Sequence, residues 1–185
     1  MKKKGFTLVE IMVVVAIIGV LAAILAPMVA NALMRAKISQ ATADFKAIAN
    51  AGTRLYMDLG VYPAEGPWCA GGSTANPYEG GAFTIRTEVP AAYLSKWQGP
   101  YLKTWPKAHP WGECVSYLQG RCGNCFDNDG IADNEAYVHF RDIAGFTDAI
   151  KQEIDKTIDD GNLSTGVVKE VRGGLCYFIG EGDTW

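Results

Sequence analysis

The first 34 residues constrain the chain most, because a short basic start leads directly into a long apolar run. Three lysines, Lys2 to Lys4, precede the run, and the 24 residues from 11 to 34 carry no charged side chain. As a helix, such a run rises about 1.5 Å per residue and can cross a bilayer core of about 30 Å. The segment predicts a membrane-spanning helix, and the lysines place its amino terminus in the cytoplasm.

A cleaved secretory signal is the main alternative for this segment. Its basic start fits, and Ala30-Asn31-Ala32 offers a small-residue cleavage site. The apolar run is longer than the roughly 7–15 residues of a usual signal. A signal also has no use for the polar pattern at residues 5–10, so we favour the membrane anchor.

Glu10 is the discriminating residue, because it places a carboxylate near the start of the apolar run. A charged side chain at the centre of a membrane costs roughly 2.5–3.5 kcal/mol on insertion scales, so it needs a partner. No basic side chain lies in the run, but cleavage after Gly5 would create the α-amine of Phe6 about one turn away. In a bundle of parallel helices this amine can pair with Glu10 of a neighbouring subunit. We therefore predict that Phe6 and Glu10 set the register of an assembly.

The stretch GFTLVEIMVVVAIIGVLAAI resembles the class III signal of type IV pilins and type II secretion pseudopilins. The resemblance implies cleavage between Gly5 and Phe6 by a prepilin peptidase, N-methylation of Phe6, and the register role of Glu10. It also implies three parts, which are a leader peptide at 1–5, a transmembrane and assembly helix at 6–34, and a periplasmic or extracellular domain at 35–185. The motif identifies the filament superfamily and not the member.

The remainder of the chain predicts an α+β domain. Apolar residues from Ile38 to Leu59 recur in steps of three and four, which indicates an amphipathic helix that ends near Gly60. A second short helix is expected to end near Gly161. Short β-branched and aromatic runs predict strands at 114–118, 137–141, 167–171 and 175–179. The expected pilin-like fold packs one long amino-terminal helix, half transmembrane and half amphipathic, on a small antiparallel sheet.

The segment WQGPYLKTWPKAHPWG, residues 97–112, resembles the W-x-GPYL…P-x-DPWG segment of the major pseudopilin of type II secretion. His109 stands where that pattern has an aspartate, and the spacing between the prolines is one residue longer. The resemblance favours a secretion pseudopilin that acts as a periplasmic piston. The alternative is a type IV pilus pilin, used for adhesion, motility or DNA uptake.

The stretch DNDGIADNE, residues 127–135, is the best candidate for a metal site. Carboxylate oxygens suit calcium and Gly130 permits a sharp turn, but Cys125 and Ala136 stand where an EF-hand needs its first and last ligands. An Asx-rich turn with solvated charges is the alternative. The resemblance adds weight, since the major pseudopilins bind calcium in a carboxyl-terminal loop, although the residues do not align individually. We expect a calcium site formed by Asp127, Asp129, Asp133 and Glu135.

Five cysteines follow the apolar run, and in an exported domain they predict structural disulfides with one thiol left over. The pair Cys122 and Cys125 also has the spacing of a zinc or redox motif, but a single such pair predicts neither well. One expectation is a bridge from the 114–125 region to Cys176, with Cys69 as the odd thiol. The candidates for bridging are Cys69, Cys114, Cys122, Cys125 and Cys176.

Composition and motifs argue against several classes of function. The chain carries 17 basic and 20 acidic residues, so nucleic acid is not an expected partner. Two histidines without a P-loop or a Gly-x-Ser-x-Gly motif argue against an enzyme. We predict a homo-oligomeric filament subunit of the inner membrane. Its expected partners are membrane lipid, a prepilin peptidase, an assembly platform and minor pilins or pseudopilins. A membrane-anchored periplasmic thiol oxidoreductase using Cys122 and Cys125 is the less favoured alternative.

Overall fold

The computed structural model of the chain describes residues 7–63, 81–121, 126 and 134–183. The chain divides into two compact units, Met1–Lys37 and Ile38–Trp185. The elements, in chain order, are α1 (Leu8–Leu59), two 3-10 helices (Gly81–Phe83 and Arg86–Glu88), β1 (Val115–Arg121), β2 (Asn134–Arg141), α2 (Asp148–Ile158), β3 (Val168–Glu170) and β4 (Gly174–Glu181). The predicted α+β fold is confirmed, and each predicted strand overlaps an observed one.

The first unit contains the apolar part of α1, whose side chains a single chain leaves uncovered. Leu8 is 74% exposed, and every large apolar side chain from Val9 to Met34 is exposed as well. By length and composition, α1 is the one helix among the described residues that can cross a membrane. The core helix of a soluble protein can pass the same test, but such a helix is buried and this one is not.

The second unit is built around the amphipathic half of α1. Its buried positions follow the predicted stripe and are Ala41, Thr42, Phe45, Ile48, Ala49, Ala51, Gly52, Leu55 and Leu59. Phe45 stacks on Phe140 of β2, with ring centroids 3.8 Å apart. A Cβ at Gly52 would lie 3.1 Å from Cγ2 of Ile179, so the glycine lets the helix approach the sheet closely. Gly60, at a φ of +75°, ends the helix as predicted.

The four strands form one antiparallel sheet in the order β1-β2-β4-β3. Alternate side chains point to opposite faces, so the sheet contributes to two hydrophobic clusters. Val138 and Phe140 belong to the main core with α1, whereas Tyr137 and Cys176 pack with Phe126 in a second cluster. The connection from β2 to β3 passes through α2.

Two indole N–H groups anchor the long segment between α1 and β1. The Trp97 N–H donates to the Ala82 carbonyl at 3.0 Å, and the Trp105 N–H donates to the Val115 carbonyl at 3.1 Å. The Tyr101 hydroxyl donates to Asp58 of α1 at 2.7 Å. Burial, together with this hydrogen bond, raises the pKa of Tyr101 to about 12. Within the described residues, this segment is therefore held in place although its only helices are two short 3-10 helices.

His109 stands where the similar pseudopilin pattern has an aspartate, and its side chain takes part in the packing of the fold. Its ring is buried and lies parallel to that of Phe140, with centroids 5.3 Å apart. Nδ1 accepts the Trp111 backbone N–H at 3.3 Å, so Nε2 carries the proton and donates to the Arg141 carbonyl at 2.9 Å. Burial lowers the pKa of His109 and keeps the ring neutral.

His139 gives the fold a sensitivity to acid. Burial lowers its pKa to about 4, the Asp142 carboxylate offsets only part of this effect, and Nε2 has no hydrogen-bond partner among the described residues. The ordinary pKa is near 6.5, so the unfolded chain binds the proton first. The contribution of His139 to stability is therefore complete above about pH 6.5 and falls by about 1.4 kcal/mol per pH unit toward pH 4.

We expect His139→Gln to flatten this dependence. Urea unfolding of both proteins at pH 7 and pH 5 should show a smaller loss of unfolding free energy for the variant. The comparison isolates His139, because other titrating groups such as His109 are present in both proteins. Equal losses in the two proteins would contradict the assignment.

Candidate functional site at the amino-terminal helix

Glu10 and Thr7 form reciprocal hydrogen bonds at the amino-terminal end of α1. Oε2 of Glu10 accepts hydrogen bonds from the Thr7 backbone N–H at 2.8 Å and from the Thr7 hydroxyl at 2.7 Å. The Glu10 N–H donates in return to the Thr7 hydroxyl oxygen at 3.3 Å. This reciprocal pattern is a capping box, and it satisfies amide groups that have no partner within the helix.

Within one chain, Glu10 binds neutral donors rather than a cation. The sequence predicts a positively charged partner, whereas the carboxylate accepts hydrogen bonds from two neutral donors of Thr7. The T-x-x-E spacing that signals this arrangement is present in the sequence. The other oxygen, Oε1, accepts no hydrogen bond from the residues that the structure describes, so it is available to a group from another chain. Gly5 and Phe6, the predicted processing residues, lie outside those residues.

The surroundings of Glu10 are apolar and uncovered. Val9, Ile11, Met12 and Val13 are all at least half exposed, and the apolar surface continues along α1 to Met34. Lipid or neighbouring helices that cover this surface would also remove water from the carboxylate, which strengthens its attraction to a positive charge. The arrangement suits association with other helices.

Of the four residues predicted to bind calcium, only Glu135 lies among the described residues. Asp127, Asp129 and Asp133 lie outside the described residues. Glu135 lies in β2, is 1% exposed, and accepts the Phe126 N–H at 2.8 Å through Oε1. Lys169 donates to the Phe126 carbonyl. Glu135 and Lys169 thus hold the backbone of residue 126, and a role for Glu135 in binding calcium stays a prediction.

The cysteines differ from the expected pairing. Cys114 is disulfide-bonded, whereas Cys176 in β4 is a free and buried thiol. The expected bridge to Cys176 is therefore wrong, and the other three cysteines, Cys69, Cys122 and Cys125, lie outside the described residues. Burial raises the pKa of Cys176, and its Sγ donates to the Val171 carbonyl at 3.5 Å. A buried, protonated thiol is unreactive.

A second group of carboxylates was not singled out from the sequence. Asp155, Asp159 and Asp160 come together where α2 ends, with one oxygen of each within 4.8 Å of the others. Their spacing places them within about one helical turn, which is the signal that could have found them. The sequence alone does not show that Asp155 is buried.

Comparison with known proteins decides the family. A model of the prokaryotic N-terminal methylation motif matches residues 1–26, and a model of the carboxyl-terminal part of PilW matches residues 32–125. The type II secretion system core protein G of Pseudomonas aeruginosa is 32% identical over 144 residues, which cover 73% of this chain and 92% of that protein. The chain belongs to the pilin-like family of the type II secretion core protein G.

Further relatives include secretion and pilus proteins. The core protein G of Vibrio cholerae is 33% identical over 117 residues, or 63% of this chain and 71% of that protein. The type IV major pilin protein PilE1 of Neisseria gonorrhoeae is 38% identical over 65 residues, or 35% of this chain and 30% of that protein. No solved structure matches the chain. The core protein G relatives share more of the chain than this pilin does, and the chain is a pilin-like structural subunit.

Proposed function

We propose that this member of the core protein G family is a filament subunit of a type II secretion system. The match that extends over 92% of the Pseudomonas aeruginosa protein carries this proposal. The chain is anchored in the inner membrane by residues 6–34, with its amino terminus in the cytoplasm and residues 35–185 in the periplasm. The exposed apolar part of α1 supports the anchor, and Lys2 to Lys4 support the orientation.

Assembly in this proposal needs processing first. A prepilin peptidase removes residues 1–5, and Phe6 is methylated on its new amine, consistent with the methylation motif at residues 1–26. The amine of one subunit then pairs with Glu10 of its neighbour, for which Oε1 is available. The inner-membrane assembly platform and minor pseudopilins are the other proposed partners, and the subunit needs no catalytic step or nucleic acid of its own.

Intact mass of the membrane-extracted protein tests the proposal. We expect the wild-type chain to begin at Phe6 with one added methyl group, and the Gly5→Ala chain to keep its leader. Phe6 is unchanged in that variant, so the difference reports cleavage at Gly5. A wild-type chain that begins at Met1, or after Ala32 as a secretory signal would leave it, would overturn the proposal.

A type IV pilus pilin is the second candidate function. The match of residues 32–125 to PilW, together with the similarity to pilins, favours it. Antibody labelling of cells distinguishes the two candidates. Labelled filaments on intact cells would indicate a pilus, whereas labelling only after permeabilisation of the outer membrane would indicate a secretion pseudopilin.

We also propose that residues 127–135 bind calcium. Three aspartates within seven residues repel one another unless a cation offsets their charge, and Gly130 suits the turn that such a loop requires. Titration calorimetry of the full chain in detergent should show one calcium ion fewer for Asp129→Ala than for the wild type. An unchanged isotherm would exclude this site.

A further inference from the structure

Two basic residues follow the apolar run of α1 directly. From residue 11 to residue 43, Arg35 and Lys37 are the only charged side chains, and no acidic residue occurs between Glu10 and Asp44. Both basic residues lie on α1, which continues through these positions without a break, and both are exposed. The end of the apolar run therefore presents positive charge to its surroundings, and no carboxylate lies nearby along the helix.

The positions of the two charges do not suit a single protein neighbour. In the described part of the chain, Arg35 forms no ion pair. Asp44, the next acidic residue along α1, accepts a hydrogen bond from Gln40 at 2.8 Å through Oδ1. Successive residues of an α-helix are about 100° apart, so Arg35 and Lys37 lie on sides of α1 that differ by about 200°. One neighbouring helix cannot meet both charges, whereas a layer of lipid headgroups surrounds a membrane helix on every side.

The length of the apolar run places both basic residues at a membrane surface. Glu10 and Arg35 are 25 residues apart, which corresponds to a rise of about 38 Å in a helix. A bilayer with its headgroups is about 40–45 Å thick, around an apolar core of about 30 Å. A helix with Glu10 at one surface therefore has Arg35 and Lys37 among the headgroups of the opposite surface. Long basic side chains near the ends of membrane helices extend to this level.

Removal of the leader would leave these two charges without an equivalent at the other end of the helix. Lysine and arginine are enriched on the cytoplasmic side of membrane proteins, so Arg35 and Lys37 stand on the less usual side. Cleavage after Gly5 takes away the lysines at positions 2–4, and Glu10 offsets the new amine of Phe6. In residues 6–43, the positive charges at 35 and 37 are then the ones that no carboxylate of the same segment compensates.

We propose that Arg35 and Lys37 bind the phosphates of anionic phospholipid headgroups at the periplasmic surface of the inner membrane. The contact holds the subunit at a fixed depth before assembly. The inference rests on the proposed function for the orientation of the helix and for the removal of the leader. Guanidinium and ammonium groups both donate several hydrogen bonds, which suits them to phosphate oxygens. Each basic residue near an anionic membrane surface strengthens the attraction by about fivefold.

Photolabelling of the full chain in phosphatidylcholine vesicles tests the proposal. The probes are phosphatidylglycerol and phosphatidylcholine, each with a diazirine near the headgroup end of one acyl chain and each added as a minor component. Peptide mass spectrometry should find more adducts on residues 32–40 from the anionic probe than from the zwitterionic probe. Arg35→Gln and Lys37→Gln should each lower this preference by about fivefold, and the double variant should lose it. Equal labelling by both probes in the wild type would overturn the proposal.

Two control variants separate the charge from the structure of the helix. Lys46→Gln removes the next basic residue of α1, which is also exposed, and should leave the preference unchanged. Arg35→Lys combined with Lys37→Arg exchanges the two side chains and keeps both charges, so it should keep the preference. If the exchange variant lost as much preference as the double glutamine variant, attraction to lipid charge would be the wrong explanation.

Intact mass of the same membrane-extracted samples keeps this inference separate from the proposed function. A chain that begins at Met1 or after Ala32 would contradict the proposed function, whatever the lipid labelling shows. A chain that begins at Phe6 and is labelled equally by both probes would overturn the headgroup contact alone.

Discussion

Replacing Lys151 with alanine should destabilise the second unit by about 2–3 kcal/mol, at the upper end of the usual cost of a single substitution, because the lysine is buried while its carboxylate partners are partly exposed. The Lys151 side chain is 2% exposed, and its Nζ lies 2.8 Å from Glu170, 2.9 Å from Asp142 and 3.3 Å from Asp148. The loss would approach a large fraction of the 5–15 kcal/mol that typically stabilises a domain.

The pKa of Lys151 shows how strongly the carboxylates hold its charge. Burial alone would lower the pKa, but the hydrogen bonds from Nζ to Glu170 and Asp142 outweigh burial and raise it. The ammonium connects three separate parts of the unit, since Asp148 opens α2, Asp142 follows β2 and Glu170 ends β3. Its removal leaves three carboxylates close together and a gap under α2.

Urea unfolding followed by tryptophan fluorescence measures this effect. Lys151→Met keeps the apolar stem and removes the charge, so its free energy of unfolding should lie between those of the wild type and of Lys151→Ala. Lys156→Ala is the matched control in the same helix, because its partner Glu153 is exposed and such pairs contribute about 0–1 kcal/mol. If Lys151→Ala lost no more stability than Lys156→Ala, the three contacts would not be stabilising.

Replacing Glu10 with leucine should abolish incorporation of the chain into filaments, while cleavage and methylation at Phe6 continue. This prediction rests on the proposed function. Leucine removes both the capping box with Thr7 and the charge available through Oε1. Electron microscopy of sheared filaments and intact mass of the membrane fraction would measure assembly and processing separately.

Two further variants separate the functions of the carboxylate. Glu10→Gln keeps an oxygen that can accept the Thr7 hydrogen bonds but has no charge, so it should also fail to assemble. Thr7→Ala removes the hydroxyl and keeps the charge, so it should still assemble. The reverse result, with assembly by Glu10→Gln and none by Thr7→Ala, would assign Glu10 to the capping box alone.

Elements with a local signal could be predicted from the sequence. The amphipathic stripe from Ile38 to Leu59 and the glycine after it define the second half of α1, because helix periodicity and termination depend on neighbouring residues. Short β-branched and aromatic runs predict the strands, although β1, β2 and β4 extend beyond the predicted ranges. The T-x-x-E spacing from Thr7 to Glu10 is also a local signal, and the capping box can be predicted from it.

The sequence did not predict contacts between residues that are distant along the chain. The free thiol of Cys176 follows from the position of β4 in the sheet, where the residue is enclosed by other strands and the second cluster. No spacing of cysteines encodes such a position, so the predicted bridge was wrong. Lys151 likewise lies in a short amphipathic helix, and only the ends of β2 and β3 bring the carboxylates of Asp142 and Glu170 to it.

The sequence by itself determined the apolar amino-terminal helix with its carboxylate, and hence the filament family, because both depend on residues that are adjacent along the chain. Only the tertiary structure decided which charges are buried. Lys151 is surrounded by carboxylates and Asp155 lies beside two others, although both belong to the same short helix. Burial depends on what packs over each residue, and for Lys151 two of the three carboxylates come from the ends of β2 and β3, outside its own helix.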